Sequence, residues 1–316
     1  MHTNRCGASN DCAYTKRLSK KERYDRMTIS GWLIYQKQAS VTNASYIKWM
    51  QDEAAAVGLS LTLMYVEDFA YGVTNHRLSL YYNEEHIALP TFAIMRGVDP
   101  FLSAHLEKMG ITVFNNSALA SIANDKARTY QFLAGLHIPM MDSIFLVPSR
   151  FSLASLPFSF PLVAKLASGR GGTDVHLVHH PNELEAIFRE HFHERWVLQK
   201  CLLPYGKDVR VFIVNNEIIG AVLRSSSTQF HANVSLGGEA SFYELSTEQR
   251  QLVQRILDVV TIDMAGIDFL VTENGEFIFN EIEDAVGSRS LSATSSINIV
   301  QCYMTHIAQH LHNSSL

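Results

Sequence analysis

Two apolar runs, MAGIDFLV at 264–271 and EFIFNEIE at 276–283, flank a short stretch containing Asn274-Gly275. Asn-Gly between alternating apolar segments is the strongest short-range signal for a hairpin, because both residues accept the backbone of a tight turn. With Asn274-Gly275 as a two-residue turn, Glu273 pairs with Glu276 and Asp268 lies opposite Glu281. Side chains alternate along a strand, so Glu283 shares the face of Glu281, while Ile267, Phe269, Ile278 and Asn280 take the other. Opposed like charges destabilise a strand pair unless something neutralises them. Lysine or arginine from elsewhere would serve, as would plain solvent exposure. The flanks, however, are apolar, and a hard divalent cation held by Asp268, Glu281 and Glu283 is the economical resolution. Mg²⁺ is the usual companion of nucleotide phosphates.

The rest of the chain must build a scaffold for this hairpin. From Ile29 the pattern alternates strand and helix: strands at 32–35, 61–65, 92–95 and 111–114, a helix from an Asn43 cap to Val57, and another from Phe101 to Met109. Gly58 and Gly110 stop the helices. Such alternation predicts a parallel sheet with helices on its faces, ending near Ser117. A helix over 118–134 follows, then strands at 143–147, 161–166, 175–178 and 196–199, with a helix over 183–192. The last section opens with strands at 208–214 and 217–223 around an Asn215-Asn216 turn. Ser246 with Gln249 makes a capping box for a helix to Val260, and a terminal helix spans 296–311. The expected organisation is a leader at 1–26, an N-terminal α/β domain at 27–117, a central α+β unit at 118–197 and a C-terminal α+β unit at 198–316.

Composition excludes several classes. Of 316 residues, 47% are hydrophobic and 18% charged, enough apolar material for sizeable cores. A net charge of -5 argues against a nucleic-acid binder, which carries a basic stripe. Fourteen histidines are scattered without metal-ligand spacing. Four cysteines, at 6, 12, 201 and 302, form no C-x-x-C pair and fit a reducing compartment. No apolar run approaches the ~20 residues of a membrane span. Residues 1–26 contain acidic residues and lack the apolar core of a signal peptide, so they read as a basic flexible leader. The cytoplasm is the expected location.

Residues 161–175, PLVAKLASGRGGTDV, set a single lysine, Lys165, inside an apolar strand that runs into a loop of Ser168, Gly169, Gly171 and Gly172. Glycines let backbone N–H groups approach phosphate closely, and lysine adds a compact positive charge. The loop joins two strands, so it is not a Walker A loop. Lys126 reads as a lysine within the 118–134 helix, following Asn124-Asp125. Asp208 and Arg210 share one strand face. Simple alternation puts Arg224 on the opposite face from Arg210, and bringing them together requires a bulge or a bend.

Four stretches in this order, NDKARTYQFLAGLHIPM, PLVAKLASGRGGTDV, VLQKCLLPYGKDVRVFIV and AGIDFLVTENGEFIFNEIEDAVG, resemble the ATP-grasp superfamily in its RimK-like amino-acid ligase branch. The resemblance covers about 30–311 and implies an α/β ATP-grasp fold, a parallel N-terminal domain followed by two α+β subdomains that clasp ATP. It implies that Lys126 and Lys165 contact the phosphates under the glycine loop, and that Gln199, Lys200, Cys201 and Leu202 receive the adenine. Asp208 would contact the nucleoside and Asn233 would lie near the metal or phosphates. Arg210 and Arg224 would face the transferred phosphoryl group, and Asp268, Glu281 and Glu283 would hold Mg²⁺, with Mn²⁺ as an alternative. The implied reaction joins a small-molecule or peptide carboxylate to an amine through an acyl-phosphate, by an enzyme that acts on neither nucleic acid nor membrane and is compatible with a homo-oligomer.

The chain departs from that pattern in places. Glu283 stands where relatives usually carry Asn, Val286-Gly287 replaces Pro-Gly, and Lys200 occupies a position where an acidic residue is common. Arg289, just after Gly287, is open to two readings: a clamp for a second substrate carboxylate, or a surface arginine. Rival functions are an ATP-grasp kinase acting on a small alcohol and a nucleotide-binding sensor without catalysis.

Overall fold

The computed structural model describes residues 28–172, 174–201, 206–225 and 239–314. The leader, Leu202 and Asn233 lie outside the described residues. The N-terminal part is a four-stranded parallel sheet in the order β2-β1-β6-β7, made from Ile29–Tyr35 (β1), Leu59–Tyr65 (β2), Phe92–Met95 (β6) and Thr112–Phe114 (β7). Helices Lys37–Thr42 (α1), Ala44–Ala56 (α2) and Pro100–Lys108 (α3) connect or cover these strands. Asn43 does not cap α2 with its side chain; its amide donates back to the Ala39 carbonyl at 2.8 Å and closes α1 instead.

Between β2 and β6 lies a small antiparallel sheet absent from the sequence reading: Phe69–Thr74 (β3), Arg77–Tyr82 (β4) and Glu85–His86 (β5). Its turns, Asn75-His76 and Asn83-Glu84, have positive φ at both residues, the geometry of a tight hairpin turn. Only one residue in each pair is asparagine and neither contains glycine, so the usual turn signal is missing.

The predicted helix over 118–134 is two helices, Ser117–Ala123 (α4) and Lys126–Ala134 (α5). Asp125 caps the second by accepting the Arg128 N–H at 3.1 Å, which makes Lys126 its first residue rather than a mid-helix lysine. Next comes an antiparallel sheet of order β10-β9-β11-β8, from Ser143–Leu146 (β8), Leu162–Leu166 (β9), Val175–Val178 (β10) and Trp196–Lys200 (β11), backed by Pro181–Glu190 (α6). Its own core gathers Leu162, Ala164, Leu184, Phe188, Trp196 and Leu198.

The last sheet has the order β14-β13-β12-β15-β16, from Lys207–Val214 (β12), Glu217–Ser225 (β13), Glu239–Phe242 (β14), Met264–Val271 (β15) and Phe277–Glu283 (β16). Helix α7, Thr247–Leu257, starts with the expected capping box. The C-terminal helices are Arg289–Thr294 (α8) and Ile299–Asn313 (α9). One face of the sheet packs on α4, α5 and α7 through residues such as Leu119, Tyr130, Val253, Phe269 and Phe279. A second core joins the parallel sheet to this one, placing Leu33, Phe92 and Phe114 with Phe212, Met264, Tyr303 and Met304. Among the described residues no helix is long and apolar enough to cross a membrane.

Both hairpins of the last sheet differ from the simple reading by a bulge. Asn215 and Asn216 form the expected turn with φ of 53° and 54°, but the β12–β13 register shifts between Phe212 and Ile213. The β15–β16 turn is one residue longer than expected: Val271 pairs with Phe277, Thr272 N–H bonds the Glu276 carbonyl, and Gly275 takes a φ of 81°. A compensating shift between Asp268 and Phe269 then restores the expected pairing of Asp268 with Glu281.

Candidate active site

A cavity of about 660 Å³ opens where the lid-like β8–β11 sheet, the last sheet and the parallel domain meet. Lys126, Lys165, Gly169, Gly171, Gly172, Gln199, Lys200, Asp208, Arg210, Arg224, Asp268, Glu281 and Glu283 all line it. Ser168 is exposed and Cys201 half-buried, and neither lines the cavity. Seven strands and helices (α5, β9, β11, β12, β13, β15 and β16) and the glycine loop therefore deliver to one place most of the residues singled out from sequence.

The two bulges decide the geometry. In β13 the extra residue turns Arg224 to the face of its partner Asp208, so Arg210, Arg224 and Asp208 stand together. Arg210 grips Asp268 with two parallel bonds of 2.8 and 2.7 Å, and Arg224 reaches Asp268 at 2.7 Å and Asp208 at 2.5 Å. Gly266 makes this possible: a Cβ there would lie 2.8 Å from Val286 Cγ2 and 3.2 Å from Arg210 Cδ. In β16 the bulge brings Asn280 into the cavity beside Glu281, which corrects the expectation that Asn280 points away. Its Oδ1 accepts a 2.8 Å hydrogen bond from Lys165 Nζ. Only the bulge turns this residue inward, and no local sequence signal marks one.

The expected repulsion between Asp268 and Glu281 is relieved from within the protein. Burial pushes the Asp268 carboxyl upward, but Arg210 and Arg224 outweigh it and hold it at about 2. Burial raises Asp208 to about 6 against the pull of Arg224. Burial also raises Glu283, whose Oε2 lies 2.5 Å from Arg210 Nη1 without the alignment of a hydrogen bond. Glu281 is about a third exposed, and its nearest cation is Lys126 at 3.6 Å. Among the described residues no three His, Cys, Asp or Glu side chains are grouped as a ready metal site, since Asp268 is committed to its arginines.

On the opposite wall, burial lowers Lys165 to about 8, aided by Lys126 and resisted by Glu281. Lys126 Nζ donates to the Gly169 carbonyl at 2.5 Å, holding the glycine loop over the cavity. Gly171 and Gly172 have φ of 62° and 79°, which side-chain-bearing residues rarely adopt. Arg170, between these glycines and Gly169, crosses to Asp284 at 3.2 Å, and Asn124 donates to the other Asp284 oxygen at 2.7 Å. Gln199 is buried with its amide bonded to Ser143 Oγ, and Lys200 pairs with Asp142 at 2.5 Å. Sequence reasoning missed Asn280, Asn124 and Arg170, and on the parallel-domain side Asn43, Tyr46, Arg96 and Ser288.

A family model described as the RimK-like ATP-grasp domain matches residues 123–307. Human N-acetylaspartylglutamate synthase A is 28% identical over 220 residues, 67% of this chain and 56% of that protein. Glutamate–LysW ligase ArgX of Sulfurisphaera tokodaii is 26% identical over 219 residues, 66% of this chain and 77% of its own. The chain thus spans a little over half the length of its human relative. In three dimensions it superposes on the ATP-grasp ligase PsnB, solved with a precursor variant, Mg and ADP. That match has a TM-score of 0.63 at 14% identity and covers 90% of this chain and 99% of PsnB, a likeness of fold. The family match takes in the glycine loop, both lysines, the bulged hairpins and α8, and runs over more than half the sequence: the chain belongs to the RimK-like ATP-grasp family.

Proposed function

We propose that this cavity binds ATP and joins a carboxylate to an amine, the substrate being an amino acid or short peptide. The observation that carries the reading is the gathering of these groups in one cavity. Lys126 and Lys165, beside a glycine loop, line it together with Glu281, Glu283 and the arginines of the last sheet, and Lys126 lies 3.6 Å from Glu281. Phosphates meet positive charge and backbone N–H groups on one side, and the reacting carboxylate meets Arg210 and Arg224 on the other. A substrate carboxylate oxygen attacks the γ-phosphorus of ATP, forming an O–P bond as the bond to ADP breaks. The amine then attacks the acyl carbon, inorganic phosphate leaves, and the amine loses a proton to solvent or phosphate. No protein nucleophile is required; the chain's part is positioning and stabilising charge on phosphoryl oxygens.

The oxygen donors fit a hard cation. Glu281 faces the cavity with one loose contact, and Glu283, like it about a third exposed, is a third carboxylate beside Asp208 and Asp268 against two arginines. Glu281 and Glu283 would hold Mg²⁺, or Mn²⁺ in its place, and Asp268 joins them only by exchanging an arginine. Such an ion supplies charge neutralisation at the phosphates when bound.

Hydroxylamine tests the reading. Incubation with ATP, Mg²⁺ and a panel of acids yields hydroxamate with ADP in equal amounts, and the signal disappears in Lys165→Met. A stable phosphate ester on an alcohol, with no hydroxamate from any acid, would identify a kinase; neither product would identify a sensor.

A further inference from the structure

Helix α5 does more than carry Lys126. Tyr130 lies four residues further on, so the two side chains share one face of the helix. Lys126 Nζ stands 3.6 Å from Glu281, and the Tyr130 hydroxyl donates to the Asn280 carbonyl at 2.7 Å. The Tyr130 ring meets Phe279 edge-on, with centroids 5.8 Å apart. One helix therefore contacts three consecutive residues of β16. The middle one is the bulge: Asp268 pairs with Glu281 and Phe269 with Phe279, so Asn280 has no partner across the ladder. Its side chain supplies the Oδ1 that accepts from Lys165 Nζ at 2.8 Å. Lys165 and Asn280 line the cavity, whereas Tyr130 is buried behind them and does not.

The hydroxyl is the part of this side chain that packing does not require. A phenylalanine would fill the same space between Phe279 and Phe145, whose ring stacks on Tyr130 at 6.5 Å. A bulged residue leaves the regular ladder, however, and a buried carbonyl there is costly without a donor. Tyr130 supplies that donor. On the other side of the bulge's first neighbour, the Phe279 N–H donates to the Pro139 carbonyl at 2.7 Å, so β16 is fixed just before the irregularity and at it. What the bulge achieves is an orientation. Regular alternation would return Asn280 to the face away from the cavity, and Lys165 would lose the side-chain acceptor that the described residues give it. The Lys165 to Asn280 bond also crosses between sheets, from β9 to β16, so it depends on how the bulge is held.

We propose that Tyr130 is a positioning residue for nucleotide binding: its hydroxyl pins the β16 bulge, the bulge presents Asn280, and Asn280 aims Lys165 into the cavity. This rests on the reading of the cavity as an ATP site. Tyr130 itself touches neither nucleotide nor metal and acts only through Asn280 and Lys165. A single helix then sets both lysines, Lys126 at its first residue and Lys165 through the strand that it braces. Removing the hydroxyl is therefore felt at the nucleotide as well as in stability.

Calorimetric titration of the full chain with adenylyl imidodiphosphate and Mg²⁺ tests it. Tyr130→Phe keeps the ring and removes the donor, and should weaken binding by about five-fold or more, the partial loss of a charge-assisted contact from Lys165. Asn280→Ala should weaken it to a similar degree. That variant leaves the Tyr130 bond to the main chain in place, so it tests the same path even if Tyr130→Phe does not fold. In the Asn280→Ala background, Tyr130→Phe should change the affinity by less than about two-fold, because the path is already cut. Unchanged affinity in either single variant, or two losses that simply add, would overturn the proposal and leave Tyr130 a core residue that moves Tm alone. The expected pattern without hydroxamate from any acid would keep Tyr130 in this role and sink the ligase reading. No nucleotide binding by the parent protein would sink both.

Discussion

Lys165 is buried in β9 without a carboxylate in hydrogen-bond contact, and its Nζ leans on the Asn280 amide oxygen at 2.8 Å. Its folded pKa of about 8 lies below the ordinary 10.5, so the folded protein gives up this proton more readily than the unfolded chain. The lysine therefore costs stability at neutral pH, and that cost disappears as pH rises from about 8 to about 10.5. Lys165→Met removes the charge and keeps the apolar stem, at the expense of leaving Asn280 unsatisfied. The variant should be more stable than the parent at pH 7 by about 1–2 kcal/mol, a gap that closes toward pH 10.5, while ATP turnover is lost. Urea denaturation of both proteins at the two pH values measures this. A constant gap would show that Lys165 is charged or neutral alike in both states. Gly266 is the second sensitive residue. Gly266→Ala forces Val286 or Arg210 to move, with an expected loss of about 1–3 kcal/mol and of the Arg210 grip on Asp268. Thermal unfolding together with the Mg²⁺ dependence of turnover checks both effects.

At the level of elements, the site depends on where strands and helices begin and slip. Lys126 faces the cavity because α5 starts afresh at Asp125, whose side chain accepts the Arg128 N–H. Asp125→Ala should cost about 1 kcal/mol through the lost cap. It should also raise the KM for ATP, because Lys126 is the first residue of the helix and moves with its end. A stability loss with unchanged KM would mean that α4 alone fixes the lysine. The two bulges act in the same way. One turns Arg224 toward Asp208 and the other turns Asn280 toward Lys165, and each changes which face of a strand carries charge.

Across the whole molecule, the glycine loop is tied to the last sheet by Arg170 and Asp284 and to α5 by Lys126 and the Gly169 carbonyl. Nucleotide should strengthen this clasp. At about 100 times its Kd, an ATP analogue with Mg²⁺ is expected to stabilise the protein by about 2.7 kcal/mol, read as a rise in Tm. Arg170→Ala should weaken analogue binding by about two- to ten-fold, as one partly exposed ion pair is removed. An unchanged Kd would show that the loop closes without it. The alternation of strands and helices, the glycine stops, the capping box at Ser246 and the order of lysines and carboxylates are local properties of the chain, so they could be read from it directly. Hydrophobic period, turn chemistry and residue type depend on neighbours only a few positions away. The hairpins at Asn75-His76 and Asn83-Glu84 escaped because asparagine without glycine is a weak turn signal. Asp268 was placed opposite Glu281 from a turn one residue too short, and an unseen bulge offset that error. Arg224 beside Arg210, Asn280 in the cavity and Arg96 on its parallel-domain side were decided only by tertiary structure. Bulges, and the packing of a parallel domain against a distant hairpin, are set by contacts between segments far apart in sequence, and no local pattern encodes them.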